Sequence, residues 1–332
     1  MTEGAGGSGE RIHTFGRFLR QRFGFRVQKL VVDAGFTCPN RDGRLGRGGC
    51  TYCDNGAFSP ATARRDRSVA EQVRSEASLA RERYGAREFI AYFQAFTNTY
   101  APVERLERLY REALSVEGVV GLSIGTRPDC VPDAVLDLLE RLARETHVWV
   151  EYGLQSAHDE TLRRVHRGHA VADFDDAVRR TQGRGLFVCA HLILGLPGET
   201  PAMMRATADH VAAFGIDGVK THHLHVVRGT NLEQEWRSGK VETLSLEAYA
   251  SLAADTLERL PPWCVLQRFC GDVQGEALLA PLWGVGKLRV LEAIEGELER
   301  RGARQGAHYV GPTSPPGWES AERRQPQPVP AG

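Results

Sequence analysis

The chain has 332 residues, 42% of them hydrophobic and 25% charged, enough apolar material to bury a sizeable core as one large α/β domain or two smaller ones. Its 42 basic and 42 acidic residues cancel, so no global field points to a nucleic acid or a membrane surface. No run of eighteen apolar residues and no secretory h-region occurs, and the seven cysteines are an odd number. These features predict a reducing, cytoplasmic setting without a membrane, where clustered cysteines serve metals rather than disulfides.

Residues 1–14, beginning MTEGAGGSGE, read as a flexible polar leader. From Arg11 to Val32 there is no Asp or Glu, while Arg11, Arg17, Arg20, Arg22, Arg26 and Lys29 interleave with Phe15, Phe18, Phe23 and Phe25. Two readings fit this segment. It holds single-stranded RNA by phosphate attraction and base stacking, or it is an amphipathic helix packed by its phenylalanines with solvated arginines.

A first strand is predicted over 29–34. It leads into TCPNRDGRLGRGGCTYCDNGAF, where Cys38, Cys50 and Cys53 form a cluster with C-x-x-C spacing in its last pair. Three thiolates match an iron–sulfur or zinc site, and three rather than four leaves one coordination position free for chemistry. The glycines of the loop let it fold back so that distant thiolates converge. Tyr52 lies between the paired cysteines, where an aromatic ring can pack against a bound ring. Cys130, Cys189, Cys264 and Cys270 are scattered and read as ordinary buried thiols.

Strand–helix units follow: helix 68–84, strand 88–95, helix 103–115, strand 119–125, helix 133–144 and strand 147–155. Helix 173–183, strand 186–195, a helix opened by Thr200-Pro201 and strand 218–227 complete the pattern. Strands alternating with helices imply parallel pairing, and six units are too few for a closed eight-stranded barrel. The predicted fold is therefore α/β, an open partial (βα)6 barrel over 15–243 that includes the basic segment. Helix 246–259, a short strand candidate at 265–269 and helix 285–301 make an α-rich extension over 244–311. The tail 312–332, TSPPGWESAERRQPQPVPAG in its last twenty residues, reads as disordered.

In a parallel barrel the groups available for chemistry sit at the C-terminal ends of the strands, and the unusual residues fall there repeatedly. The second strand is followed by Gln94 and Thr97-Asn98-Thr99, and the third by Gly125-Thr126-Arg127-Pro128-Asp129. The fourth carries Glu151 and Gln155-Ser156, the fifth ends Gly195-Leu196-Pro197-Gly198-Glu199, and the sixth contains Lys220, His222, His223 and His225. Alternation along a strand puts His223 and His225 on one face, where they are a metal-site candidate, with His222 on the other.

The cysteine segment resembles the radical S-adenosylmethionine superfamily, with C-x11-C-x2-C in place of the commoner C-x3-C-x2-C. The run TCPNRDG…GRGGCTYC is similar to the YhcC/YtqA-like group of its elongator-related branch, and the resemblance extends roughly over 15–306. It implies a radical-SAM barrel in which Cys38, Cys50 and Cys53 hold a 4Fe-4S cluster whose fourth iron binds S-adenosylmethionine. It implies further that Thr97 and Asn98 lie where the family binds the methionine amino group, although the usual Gly-Gly-Glu triplet is absent. Arg127, in SIGTRPD, is implied as a partner of a carboxylate or of substrate. Glu151 and Gln155, in VEYGLQS, are implied at the ribose. Arg167, in HRGH, matches an arginine that contacts the cofactor carboxylate, and HLILGLPGE resembles the motif whose backbone supports the adenine.

The activity implied is that of a radical enzyme: S-adenosylmethionine is cleaved to methionine and a 5′-deoxyadenosyl radical, which abstracts hydrogen from a substrate in a dry site. Arg41, Arg44 and Arg47 offset cluster charge or form a solvated loop face. The branch implies tRNA as a candidate partner, with an operation on an existing C5 side chain of a wobble uridine. The chain lacks the acetyltransferase domain joined to the radical domain in elongator, so that reaction is not carried over whole. A reducing partner such as flavodoxin or ferredoxin is expected. Two alternatives remain open. The same chemistry acts on a small metabolite or a protein side chain, or the cysteines with a histidine such as His13 form a non-catalytic zinc module.

Overall fold

The apolar runs pair side by side as strands in a computed structural model that describes residues 11–59, 66–271, 273 and 275–312. In chain order they are β1 (Val27–Val32), β2 (Glu88–Phe93), β3 (Val119–Thr126), β4 (His147–Gln155), β5 (Phe187–Leu194) and β6 (Gly218–His223). The short β7 (Val226–Val227), β8 (Val265–Arg268) and β9 (Leu278–Ala280) follow. One parallel sheet runs β1-β2-β3-β4-β5-β6-β8, a half-barrel open between β1 and β8, while β7 and β9 pair antiparallel beside it. The leader up to residue 10 and the tail from 313 lie outside the described residues.

The half-barrel differs from the sequence expectation in two places. The sheet has seven strands rather than six, because the segment assigned to the extension hydrogen-bonds along β6 as β8. Val265 and Leu266 give that short run its β character, and an isolated four-residue strand carries too little periodicity to be assigned to a sheet from sequence. The predicted strand 218–227 also breaks after His223, and Val226–Val227 turns away to pair with β9.

Helices cover the outer face: α3 (Val69–Tyr84), α4 (Val103–Leu114), α5 (Asp133–Glu145), α7 (Val171–Thr181), α8 (Pro201–Ala213), α10 (Leu246–Arg259) and α11 (Lys287–Arg300). Shorter ones are α2 (Asn55–Phe58), α6 (Asp159–Arg164) and α9 (Asn231–Arg237). Their starts follow capping chemistry. Ser68 and Glu71 form a reciprocal capping box at α3, and the Thr200 hydroxyl accepts from the Met203 amide ahead of Pro201 at α8. Outward strand residues such as Leu30, Phe93, Leu122, Val150 and Leu192 meet these helices in one continuous core.

The remaining helix, α1 (Phe15–Phe23), closes the floor of the barrel, the end where strands begin. Phe18, Leu19 and Phe23 are buried against Val27, Ile90, Trp149, Phe187 and Val265, all near strand starts. Phe18 packs edge-on to Trp149 and Phe187 with ring centroids 5.6 and 5.7 Å apart. Of the two readings of the basic segment, the packed helix is the one realised. Phe18 and Phe23 are spent on the core, and α1 lies at the end of the barrel away from the cysteine loop, so they are not a base-stacking platform there. Phe18→Ala is expected to cost about 3–5 kcal/mol in urea unfolding, the range for emptying a buried aromatic site. A loss below about 1 kcal/mol would show that α1 does not seal the floor.

Candidate active site

Side chains pointing into the barrel change character from floor to mouth. Above the apolar floor lies a charged layer: Lys29 from β1, Tyr92 from β2, Ser123 from β3, Glu151 from β4 and Lys220 from β6. Glu151 is fully buried, and each of its oxygens is taken twice. Oε1 accepts from Lys29 Nζ at 2.6 Å and from Ser123, and Oε2 accepts from Lys220 and from His191 Nε2 at 2.8 Å. The Tyr92 ring faces both ammonium groups, 4.3 Å from Lys29 Nζ and 4.0 Å from Lys220 Nζ. These lysines hold the Glu151 carboxyl well below its usual range against the opposing effect of burial.

At the mouth, Cys38, Cys50 and Cys53 line a single cavity together with Tyr52. The loop after β1 is braced by its own backbone: the Arg41 and Asp42 amides donate to the Cys38 carbonyl, and the Cys53 amide to that of Cys50. Cys50 is the most enclosed of the three. Its Sγ receives Asn40 Nδ2 at 3.7 Å and Arg167 Nη1 at 3.6 Å. Asn40 Nδ2 also donates to the carbonyls of His166 and Arg167 at 2.7 and 2.9 Å, which ties the cysteine loop to the segment after α6. Burial and the neighbouring Cys50 push the Cys53 thiol up to about 11, opposed by Arg41 and Arg167, so ligation at this position expels a proton.

The other residues singled out from sequence fall into two groups. Thr97, Arg127, Glu151, Gln155 and Arg167 line the same cavity as the cysteines. Asn98 is fully buried, and its Nδ2 donates to the carbonyls of Phe93 and Gly125 at 3.1 and 2.7 Å, tying β2 to β3. Its amide nitrogen holds strand ends rather than a ligand. Arg127 is also committed: Nε and Nη2 donate to Asp129 at 2.9 and 2.8 Å, and Nη1 and Nη2 donate to the carbonyls of Arg167 and Gly168. The fork offered to a carboxylate therefore holds Asp129 from its own turn. Glu151 lies in mid-barrel with all its acceptor capacity used, so it is a positioning residue of the charged layer rather than a strand-end contact to ribose.

Gln155 and Arg167 keep free capacity at the cavity. Gln155 adopts φ +76, a conformation rare for a side-chain-bearing residue, where the β4–β5 register shifts. Its buried Oε1, like Thr97 Oγ1 and Arg167 Nε, meets no hydrogen-bond partner among the described residues. Arg167 Nη2 donates to the Gly153 carbonyl at 2.6 Å. A Cβ on Gly153 would come within 2.5 Å of that nitrogen, so the close approach requires glycine there. Sequence reasoning missed Asn40, His191 and Arg268, because a contact made across the barrel leaves no local pattern.

The three histidines at and just beyond the end of β6 do not make a metal site. His222 faces the cavity, whereas His223 packs on Trp283 and His225 with ring centroids 3.9 and 4.1 Å apart. Among the described residues no group of three or more His, Cys, Asp or Glu converges on a single ion. His13, the candidate fourth ligand of a zinc module, sits at the floor end. Its Nδ1 lies 2.9 Å from the Trp263 carbonyl, and its own carbonyl accepts from Leu266 at the start of β8. It cannot close a tetrahedron with the cysteines.

Burial holds several of these imidazoles neutral: His191 falls to about 4 and His223 to about 2. In the unfolded chain both titrate near 6.5, so below that pH the unfolded state binds more protons and stability falls with acidification. Between pH 6.5 and about 4 the expected loss is up to about 1.4 kcal/mol per pH unit per histidine. Urea midpoints measured at pH 7 and pH 5 check this, and His191→Gln should flatten the slope. Equal midpoints would contradict the buried neutral assignment.

The donor set fits an anionic iron–sulfur cluster. Three thiols face one cavity, the Arg41 and Arg167 guanidinium groups lie against the cysteine loop, and among the described residues neither pairs with a carboxylate. The unspent polar atoms of Thr97, Gln155 and Arg167 border the same space, as a polar cofactor requires.

Comparison with known proteins agrees with this geometry. Residues 40–211 match the Radical SAM superfamily, and residues 216–300 match the Radical SAM C-terminal domain. The chain is 42% identical over 306 residues to protein YhcC of Escherichia coli K12, covering 92% of this chain and 97% of that one. It is 41% identical over 300 residues to protein YtqA of Bacillus subtilis, covering 90% and 93%. A tRNA uridine(34) acetyltransferase of Dehalococcoides mccartyi is 33% identical over 166 residues, 49% of this chain and 36% of that protein. Among solved structures, the Methanocaldococcus infernus Elp3 shares the fold with a TM-score of 0.62, at 20% identity over 84% of this chain and 64% of that one.

Proposed function

The chain belongs to the radical S-adenosylmethionine superfamily, and from that premise we propose that it modifies tRNA at the C5 side chain of a wobble uridine. Its cofactors are a 4Fe-4S cluster and S-adenosylmethionine, which together supply reductive cleavage of the sulfonium and hydrogen abstraction from the substrate. Cys38, Cys50 and Cys53 hold the cluster in this reading. Arg167 and Asn40 orient Cys50, and Gln155, Thr97 and Arg167 offer their free polar atoms to S-adenosylmethionine. The deep barrel excludes water from the reacting atoms. Flavodoxin or ferredoxin supplies the electron.

The observation that carries the tRNA reading is the similarity to the tRNA uridine(34) acetyltransferase over 166 residues, 49% of the chain. The site's surroundings support it. Arg44 and Arg47 are exposed on the cysteine loop at the mouth, with Arg163 exposed on α6, where a polyanion reaching the cavity passes. In this reading the RNA contacts lie at the cysteine end rather than on α1. Nucleoside mass spectrometry of bulk tRNA from a deletion strain and its parent tests the reading. Loss of one modified uridine with gain of its precursor is expected. Binding of unmodified tRNA should weaken and lose salt slope when Arg44 and Arg47 are both replaced by Ala. An unchanged modification profile together with no tRNA binding at low salt would redirect the chemistry to a small metabolite or a protein side chain.

A further inference from the structure

The charged layer carries more positive than negative charge. Three cations enter the barrel interior from β1, β6 and β8: Lys29, Lys220 and Arg268. Against them stands Glu151, the one carboxylate among the described residues lining the cavity. Its oxygens are already shared between Lys29, Lys220, Ser123 and His191. Lys220 and Arg268 are register partners on adjacent parallel strands, and like charges placed side by side on paired strands oppose each other. Arg268 meets no carboxylate among the described residues, and its buried Nε has no hydrogen-bond partner there. His222, two residues beyond Lys220, joins Arg268 in the cavity wall, with its Nδ1 turned toward the His223 carbonyl at 3.1 Å.

Arg268 is half-buried with its Nε shielded from solvent, and a cation so withdrawn from water gains from a ligand that supplies a counter-charge. We propose that the β6–β8 wall is the recognition site for an anionic group of the substrate, with Arg268 as its principal contact and Lys220 beside it. The cofactor's own carboxylate is a poor candidate for this place, because the cysteine loop is hydrogen-bonded to Asn40 and Arg167 while Arg268 and His222 make no hydrogen bond to that loop. The anion is a carboxylate or a phosphate, both of which suit the guanidinium fork. The position of Lys220 agrees: burial lowers its ammonium to about 7, and an anion at Arg268 would restore the charge. The proposal rests on the barrel cavity being the reaction chamber and is independent of whether the substrate is RNA. If the substrate is a uridine, the group acted on lies on a C5 side chain that ends in an acid.

The test has two arms, both with cluster-loaded protein carrying S-adenosylmethionine. Crystals soaked in sodium bromide should show an anomalous peak in contact with the Arg268 guanidinium, and Arg268→Gln should lose it. No peak there, or a peak that survives Arg268→Gln, overturns the proposal. In the second arm, calorimetry compares 5-carboxymethyluridine with its neutral amide. The acid should bind at least about ten-fold more tightly, with the preference abolished in Arg268→Gln and partly restored in Arg268→Lys. Equal binding of acid and amide overturns the proposal. A bromide site with neither nucleoside bound supports the anion site and counts against the uridine reading.

Discussion

Cys50→Ser is expected to abolish cleavage of S-adenosylmethionine by the reconstituted, reduced protein. Cys50 is the most buried of the three thiols, 7% exposed, and is held by Asn40 and Arg167, so no other cysteine can take its place. A serine hydroxyl ionises far above neutrality and is a hard ligand where iron–sulfur chemistry needs a soft thiolate. Chromatographic assay for 5′-deoxyadenosine should therefore show product falling to background. Cys130→Ser is the control. Its thiol is directed at Asp129, and burial with that carboxylate pushes it up to about 12, so it is an inert thiol. Full cleavage by Cys50→Ser, or loss of iron in Cys130→Ser, would show that the cluster is held by a different trio.

Gly168→Ala is expected to lose most of its iron as isolated, although residue 168 touches no cluster ligand. Gly168 adopts φ +73, and a Cβ built there falls well inside contact distance of Asn40 Oδ1. Asn40 is the residue that joins Cys50 Sγ to the carbonyls of His166 and Arg167, so the methyl group displaces the brace of the cysteine loop. Gly183→Ala separates the two costs. Gly183 has φ +82, but a Cβ there meets nothing within 4 Å, so that variant bears only backbone strain of about 1–2 kcal/mol. Iron content per chain and melting temperature should fall together in Gly168→Ala. In Gly183→Ala only the melting temperature should fall. Equal iron in the two variants would mean that Asn40 does not position the cluster loop.

The cysteine loop and the barrel were legible because their signals are local. Three thiolates in one glycine-rich turn, and apolar runs alternating with amphipathic helices, are patterns a short window contains. One helix start was legible for the same reason, as Thr200 with Pro201 illustrates. What was not legible depends on pairs far apart in sequence. Glu151 reads as a strand-end acid until Lys29, 122 residues away, and Lys220, 69 away, are seen to neutralise it. Arg127 reads as a free fork until Asp129, Arg167 and Gly168 are seen to occupy it. Arg268 was hidden because a four-residue strand gives no basis for placing it beside β6. Arg167 kept its place at the cavity but acquired a second contact. Because it donates to Cys50 Sγ, its replacement by Ala should loosen iron as well as S-adenosylmethionine, where the sequence resemblance implied only a contact to the cofactor carboxylate.

Electron paramagnetic resonance of the anaerobically reconstituted, reduced protein, recorded before and after adding S-adenosylmethionine, tests the central claim most directly. One 4Fe-4S signal per chain is expected, with a spectrum that changes on addition because the cofactor takes the iron left open by three thiolates. A protein that binds zinc instead, or a cluster signal indifferent to S-adenosylmethionine, would contradict the account.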